Sequence, residues 1–242
     1  ANWIGVNANQ YLHRYGANRE LFGMIAVNAR RNAALNPSAI YREPMTMDDY
    51  LAARPITSPF GLYDCDVPCD GAIAVIVSAA DAARDLAKPP AVITAAAQGA
   101  AYDGEVMTSY YREEITGLPE MGVVGDKLWR DSGLKPQDIS TAFLYDHFTP
   151  FVFTQLEELG FCGRGEAKDF VSVEELSLGG RMPINTNGGL LGEAYIHGMN
   201  GITEGVRQVR GTSHNQVDNV EHVLVTSGTG VPTSGLILAP DR

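Results

Sequence analysis

The stretch Asn187–Gly201, NGGLLGEAYIHGMNG, sets five glycines around a tyrosine and a histidine and then runs into a helical pattern. Glycines at this density let backbone come close to a ligand or to another backbone. Tyr195 and His197 are its chemically capable side chains, and a tyrosine keeps a titratable hydroxyl. Read alone, the stretch is equally a tight turn. Glu193 within it fits a polar loop better than a general base. Cys65 and Cys69 have three residues between them (C-D-V-P-C), with no second Cys/His pair at zinc spacing beside them. They read as small buried hydrophobes, and no metal is expected.

Composition limits what such residues can serve. The chain has 242 residues and a formal net charge of −11, which argues against nucleic acid as a partner. Three cysteines give no disulfide framework and suit a reducing compartment, so a cytoplasmic protein is expected. No apolar run reaches the length of a membrane span; the longest is Ala72–Ala80. The sequence starts without Met, and Ala1–Arg14 lacks the basic and apolar regions of a signal peptide. It reads as a portion of a longer polypeptide.

The elements that must position these residues follow from periodicity. Leu12–Leu35 reads as a helix started at Ala17 or Asn18 and stopped by Asn36-Pro37. Thr46–Ala53 reads as a short helix with Thr46 at its N-cap. Residues 1–60 thus form a helical layer over something else. Gly71–Ser78 and Val92–Ala97 read as buried strands, apolar on both faces. Asp81–Ala87 reads as a short helix, and Ala101–Tyr111 has no clear period. Met121–Ser132 is helical, Ile139–Leu144 a strand, and Phe151–Leu159 a helix ended by Gly160. Phe170–Gly180 looks irregular. A helix over Met199–Arg210 precedes an antiparallel pair, Val220–Thr226 and Ser234–Leu238. This alternation is α/β. Chemistry in such folds gathers where strands end and helices begin, at Tyr145–Pro150, Gly192–Gly201 and Ser227–Pro232.

Five segments, in order, resemble the C-terminal part of the thiolase fold, in its lipid-transfer-protein-like (sterol-carrier type) branch. HRYGANRELFGMIAVNARRNAALNP, His13–Pro37, resembles the loop-domain helix. LYDCDVPCDGAIAVIVS, Leu62–Ser78, resembles the "DC…SDGAAAV" strand, and LYDHFTPF, Leu144–Phe151, the "VHDCF" or "NEAF" motif. Asn187–Gly201 resembles "GG…GHPxGATG", and the SGTG turn, Ser227–Gly230, falls at the last glycine-rich loop. The resemblance implies an α/β thiolase-like fold of layered αβαβα type. Residues 1–60 would be its helical loop region, 61–87 the last strand and helix of the N-terminal half, and 88–242 the C-terminal half.

The departures carry the functional reading. Tyr195 stands at the histidine of the GHP motif, with Ile196 for its proline; Tyr145 stands at the Asn/His of the earlier motif; and Thr226–Gly230 holds no Cys. Two tyrosines replacing the residues of Claisen chemistry resemble the steroid side-chain-cleaving aldolases of this branch. Those enzymes split a β-hydroxyacyl-CoA, in the typical case a 17-hydroxy steroid thioester, into a ketosteroid and propionyl-CoA. For that chemistry Tyr145 is expected to be the base on the substrate hydroxyl and Tyr195 the donor to the thioester oxygen or the acid for the enolate, an assignment that could be reversed. An unperturbed phenol titrates at about pH 10, so a tyrosinate base needs nearby positive charge or donors. Asp146 is expected to point away in a structural role. His147 and His197, each two places beyond a tyrosine, are candidates to line the site. Backbone N–H groups of Gly228–Gly230 are candidates for an oxyanion hole. His214, His222, Trp129 and Phe143 read as structural.

The resemblance further implies a homodimer and a DUF35-type partner combining a zinc ribbon with an OB fold. It implies no cofactor beyond the coenzyme A of the substrate. The rival functions are acyl transfer by a thiolase or ketoacyl synthase, and a non-catalytic acyl-CoA-binding lipid-transfer subunit.

Overall fold

The computed structural model describes residues 1–104, 111–228, 230 and 233–241. Two helices, α1 (Asn2–Tyr15) and α2 (Arg19–Ala34), open the chain. The expected single helix is broken at Gly16, whose φ of 63° turns the chain left-handed while its N–H bonds back to Leu12. Sequence reading missed α1 upstream of Leu12, because its buried positions Gly5, Ala8 and Tyr11 give only a narrow apolar stripe. Helix α3 (Met47–Leu51) starts as anticipated, with Thr46 and Asp49 forming a reciprocal capping box. Strands β1 (Pro55–Thr57) and β2 (Phe60–Gly61) make a small antiparallel pair. Helix α4 (Ala80–Arg84) follows.

The main sheet takes β3 (Ala91–Gly99), then β4 (Thr141–Phe143), β5 (Val223–Ser227) and β6 (Thr233–Pro240), in the order β3-β6-β5-β4. Its pairs are antiparallel except β4 with β5. Before β4 comes α5 (Pro119–Ser132), ended by a left-handed Gly133, and after it comes α6 (Pro150–Glu158). Short helices α7 (Ala167–Phe170), α8 (Val173–Leu176) and α9 (Gly189–Gly192) lead to α10 (Met199–Arg210). Ser172 caps α8, so the stretch expected to be irregular holds one helical turn.

Alternation along the strands divides the core between the two faces of the sheet. Ala95, Ala97, Ala142, Leu144, Leu224 and Ile237 pack with α5 and α6, in a cluster that extends to α2. Phe143, Tyr145, Val223, Val225 and Leu238 face the other way, with Ile202, Val206 and Val209 of α10. Tyr145 therefore lies on the α10 face, which also receives Tyr195.

One expected strand does not form. Gly71–Ser78 has no strand assignment, and Ile76 is 92% exposed and Val77 73%. A strand exists only through its ladder, and among the described residues none pairs with this run. Strand β3 is also less buried than expected: as an edge strand it leaves Ile93 exposed. Most of the aperiodic Ala101–Tyr111 lies outside the described residues.

Helix α2 presses on the glycine stretch. A Cβ on Gly192 would sit 2.8 Å from Ala33 Cβ and 3.1 Å from the Ala29 carbonyl oxygen. Asn32 Nδ2 donates to the carbonyls of Ile184 and Asn185, and Asn36 Nδ2 to that of Asn187. Because Gly192 is shut in by backbone as well as side chain, Gly192→Ala is expected to lower stability by about 1–3 kcal/mol in urea unfolding. Gly179→Ala, where a Cβ meets nothing, is expected to change it by less than about 0.5 kcal/mol.

Candidate active site

The β4 ladder ends just before Tyr145, and side-chain amides take over its backbone bonding. Asn185 brackets Leu144: its Oδ1 accepts from the Leu144 N–H at 2.8 Å and its Nδ2 donates to the Leu144 carbonyl at 3.0 Å. Gln155 Nε2 donates to the Tyr145 carbonyl at 2.9 Å, and Tyr145 N–H donates to Thr226 Oγ1 at 3.1 Å. Three elements thus fix one tyrosine, and its ring is 5% exposed.

The glycine stretch carries Tyr195 to it. Gly198, at φ 79°, packs so close that a Cβ there would stand 2.9 Å from Tyr145 Cδ2 and 2.7 Å from Ser227 Oγ. Glu193 is the buried anchor of the stretch. Its carboxylate accepts from Asn36 at 3.0 Å, from Asn200 at 2.9 Å and from Asn187. Glu193 reads in the sequence as a polar loop residue rather than a general base; it is buried, and these amides hold it.

The two phenol oxygens of Tyr145 and Tyr195 are 3.2 Å apart, and Tyr195 Oη is 3.2 Å from His197 Nδ1. Burial first, then the hydrogen bond to Tyr195 and the nearby Asp66 and Asp146 carboxylates, raise the Tyr145 phenol well above its ordinary value. Tyr145 is therefore a protonated phenol at neutral pH. Tyr195 is half-buried, and His197 is exposed.

The remaining expected residues divide. Asp146 is fully buried and turned into the glycine turn, as anticipated, where its Oδ1 accepts from the Leu190 N–H at 2.7 Å. Burial pushes its carboxyl up to about 7. His147 flanks the Tyr145 ring at 4.9 Å and stacks on Phe151 at 4.8 Å. Burial depresses it to about 3, so it stays neutral. Gly228 and Gly230 adopt left-handed φ values of 80° and 85° beside Ser227, whose Oγ donates to the His197 carbonyl at 3.3 Å. Ser227 thus adjoins the loop that carries Tyr195; Thr229 lies outside the described residues.

Sequence reading missed Asn185, Gln155, Cys69 and Asp66. Cys69 Sγ–H donates to the Tyr195 carbonyl at 3.5 Å, and Asp66 N–H donates to the His147 carbonyl at 2.9 Å. Both Cys69 and Asp66 lie in Leu62–Ser78, already singled out by its resemblance, which was the signal available. Among the described residues no cluster of three or more His, Cys, Asp or Glu could hold a metal ion. None of the helices described is long and apolar enough to cross a membrane.

The thiolase C-terminal domain-like family matches residues 99–238, more than half of the chain. The chain belongs to that family. This thiolase-like chain is 59% identical to a steroid side-chain-cleaving aldolase of Thermomonospora curvata, over 100% of its own length and 62% of the relative's. It is 59% identical to a 17-hydroxy-3-oxo-4-pregnene-20-carboxyl-CoA lyase of Mycobacterium tuberculosis, over 97% and 61%. The solved Ltp2-ChsH2(DUF35) aldolase superposes with a TM-score of 0.97 at 59% identity, covering 99% of this chain and 63% of that one. The chain therefore spans about three fifths of the length of the relatives it matches.

Two outcomes follow from this geometry. Asp146 has a native pKa near 7, above its unfolded value of 3.8. The native state therefore binds the extra proton, and that contribution to stability is present below about pH 4 and lost as pH rises toward 7. Measured by urea unfolding, wild-type stability relative to Asp146→Asn is expected to fall between pH 4 and 7, by at most about 4 kcal/mol, and to level off above. Parallel curves would contradict it. Gly198→Ala, strained at positive φ and driven into the Tyr145 ring, is expected to cost about 1–3 kcal/mol of stability in the same assay.

Proposed function

We propose that the full-length protein is a carbon–carbon lyase that cleaves a β-hydroxyacyl-CoA by a retro-aldol reaction. The substrate we infer is a 17-hydroxy steroid carboxyl-CoA, giving a 17-ketosteroid and propionyl-CoA. The observation that carries this reading is the pair of phenols with oxygens 3.2 Å apart at the ends of two thiolase-type loops. The names of the relatives support the same substrate class.

A retro-aldol step needs no covalent nucleophile, because the leaving carbanion is a thioester enolate. It needs a base for the hydroxyl proton, stabilisation of the enolate and an acid for its carbon. Sequence reading gave Tyr145 the base and left the reverse open; the environments favour the reverse. Tyr145 is buried, and the Tyr195 phenol and the Asp66 and Asp146 carboxylates raise it further, so it holds its proton and suits the acid. Tyr195, half-buried and bonded to a histidine nitrogen, has somewhere to send its own proton and suits the base. As the hydroxyl loses its proton, the C–C electron pair passes to the α-carbon and Tyr145 protonates it. We assign stabilisation of the thioester oxygen to the backbone N–H groups of Gly228 and Gly230.

In this reading, residues 1–60 are the loop region, 61–87 belong to the N-terminal half and 88–242 form the C-terminal half, which contains the matched 99–238. We take the protein to work as a homodimer with a DUF35-type partner; the name of the solved aldolase supports the partner. Three free thiols suit the cytoplasm.

The test is incubation of the full-length protein and its partner with the 17-hydroxy steroid CoA, following propionyl-CoA. Tyr145→Phe and Tyr195→Phe are each expected to lower kcat by about 10²-fold or more. Near-normal cleavage by both variants would overturn the proposal.

A further inference from the structure

We propose that His197 is the proton relay of the tyrosine pair, taking the Tyr195 proton as Tyr195 takes that of the substrate hydroxyl, and then returning it. This rests on the retro-aldol reading and adds a third member to its machinery. Because His197 acts through Tyr195, it is a positioning residue rather than one that touches the substrate.

Three observations converge on it. His197 is a non-glycine residue at φ 48°, a left-handed conformation with a cost on the order of 1–3 kcal/mol. It is held there between the left-handed Gly198 and the Ser227 hydroxyl bonded to its carbonyl. That backbone turn brings Nδ1 to 3.2 Å from Tyr195 Oη, with ring centroids 4.6 Å apart. Nδ1 then accepts the phenol hydrogen bond and Nε2 carries the ring proton. The residue is also exposed, so its proton can exchange with water.

The surroundings suit a histidine that becomes positive during turnover. From the Leu62–Ser78 segment, the Asp66 carboxylate lies within electrostatic range of the imidazole. From the segment after β4, His147 is also within range, but burial keeps it neutral, so it offers no competing charge. Tyr145 reaches it only through Tyr195. Cys69 engages the Tyr195 carbonyl on the other side.

The cycle balances in protons. The substrate O–H proton passes to Tyr195 Oη as the Tyr195 proton passes to His197 Nδ1. The C–O bond becomes a carbonyl, and the broken C–C pair becomes the enolate. Tyr145 gives its proton to the α-carbon and is left as a phenolate 3.2 Å from Tyr195 Oη. The proton on His197 then returns through Tyr195 to Tyr145, and the three groups are reset with no net gain or loss.

The test uses the full-length protein with its partner and the 17-hydroxy steroid CoA. His197→Asn tolerates a left-handed backbone and can accept the Tyr195 hydrogen bond, but cannot hold the proton. His197→Ala leaves room for free imidazole. Both are expected to lower kcat by about 10²-fold with KM changed less than about threefold, to lose the fall of kcat on the acid side, and His197→Ala to be restored by imidazole. A His197→Asn variant with wild-type kcat and an unchanged pH profile would overturn the relay. Wild-type protein that releases no propionyl-CoA would overturn the retro-aldol reading and the relay with it. Nitrogen NMR gives a readout apart from turnover: Tyr195→Phe is expected to shift the His197 Nδ1 resonance, and an unmoved resonance would also overturn the relay.

Discussion

The close seating of α2 on the glycine turn is the constraint from which the site follows. Ala33 stands where a Cβ of Gly188 or Gly192 would be, and Asn32 and Asn36 reach past it to the turn's carbonyls. Any larger residue at those glycines lifts the turn from the helix, and with it the loop that carries Tyr195. Glu193 locks the same turn from below through three asparagine amides. The helical layer that opens the chain therefore sets the position of a loop some 150 residues later; Asn36 and Asn187 are 151 apart.

The buried carboxyls serve this framework. Asp146 binds the Leu190 N–H, Glu193 binds asparagines, and Asp64 ties Tyr50 to Thr149. Each is raised by burial. Asp146, with Asp66, also raises the Tyr145 phenol, so two residues identical in type stand in different surroundings. The more open tyrosine lies 3.2 Å from a histidine nitrogen, and the enclosed one packs its ring 4.9 Å from that of His147.

Much of the fold was legible in the sequence. Helix α10 spans Met199–Arg210 as its periodicity indicated, and Gly133 ends α5. The antiparallel β5–β6 pair follows from two apolar runs around a glycine turn. The tyrosines could be singled out because a resemblance gave their positions a meaning that composition does not. What failed depends on distant neighbours. Gly71–Ser78 has strand-like residues but finds no ladder among those described. Glu193 read only as a polar loop residue because the asparagines that hold it come from just after α2, from the turn and from α10. His197 read only as a candidate to line the site, because its approach to Tyr195 depends on its own left-handed backbone, which no spacing rule reveals. Gln155 and Asn185 hold the Tyr145 segment with side-chain amides in place of a strand, and a sequence shows such amides only as polar residues.

The central claim is that Tyr145 and Tyr195 together face the bond that breaks. The most direct measurement is a crystal structure of the full-length protein bound to an uncleavable steroid CoA analogue that keeps the hydroxyl. Tyr195 Oη is predicted at about 3 Å from that hydroxyl, with Tyr145 Oη directed at the α-carbon. A thioester bound with neither phenol in reach of the reacting atoms would contradict it.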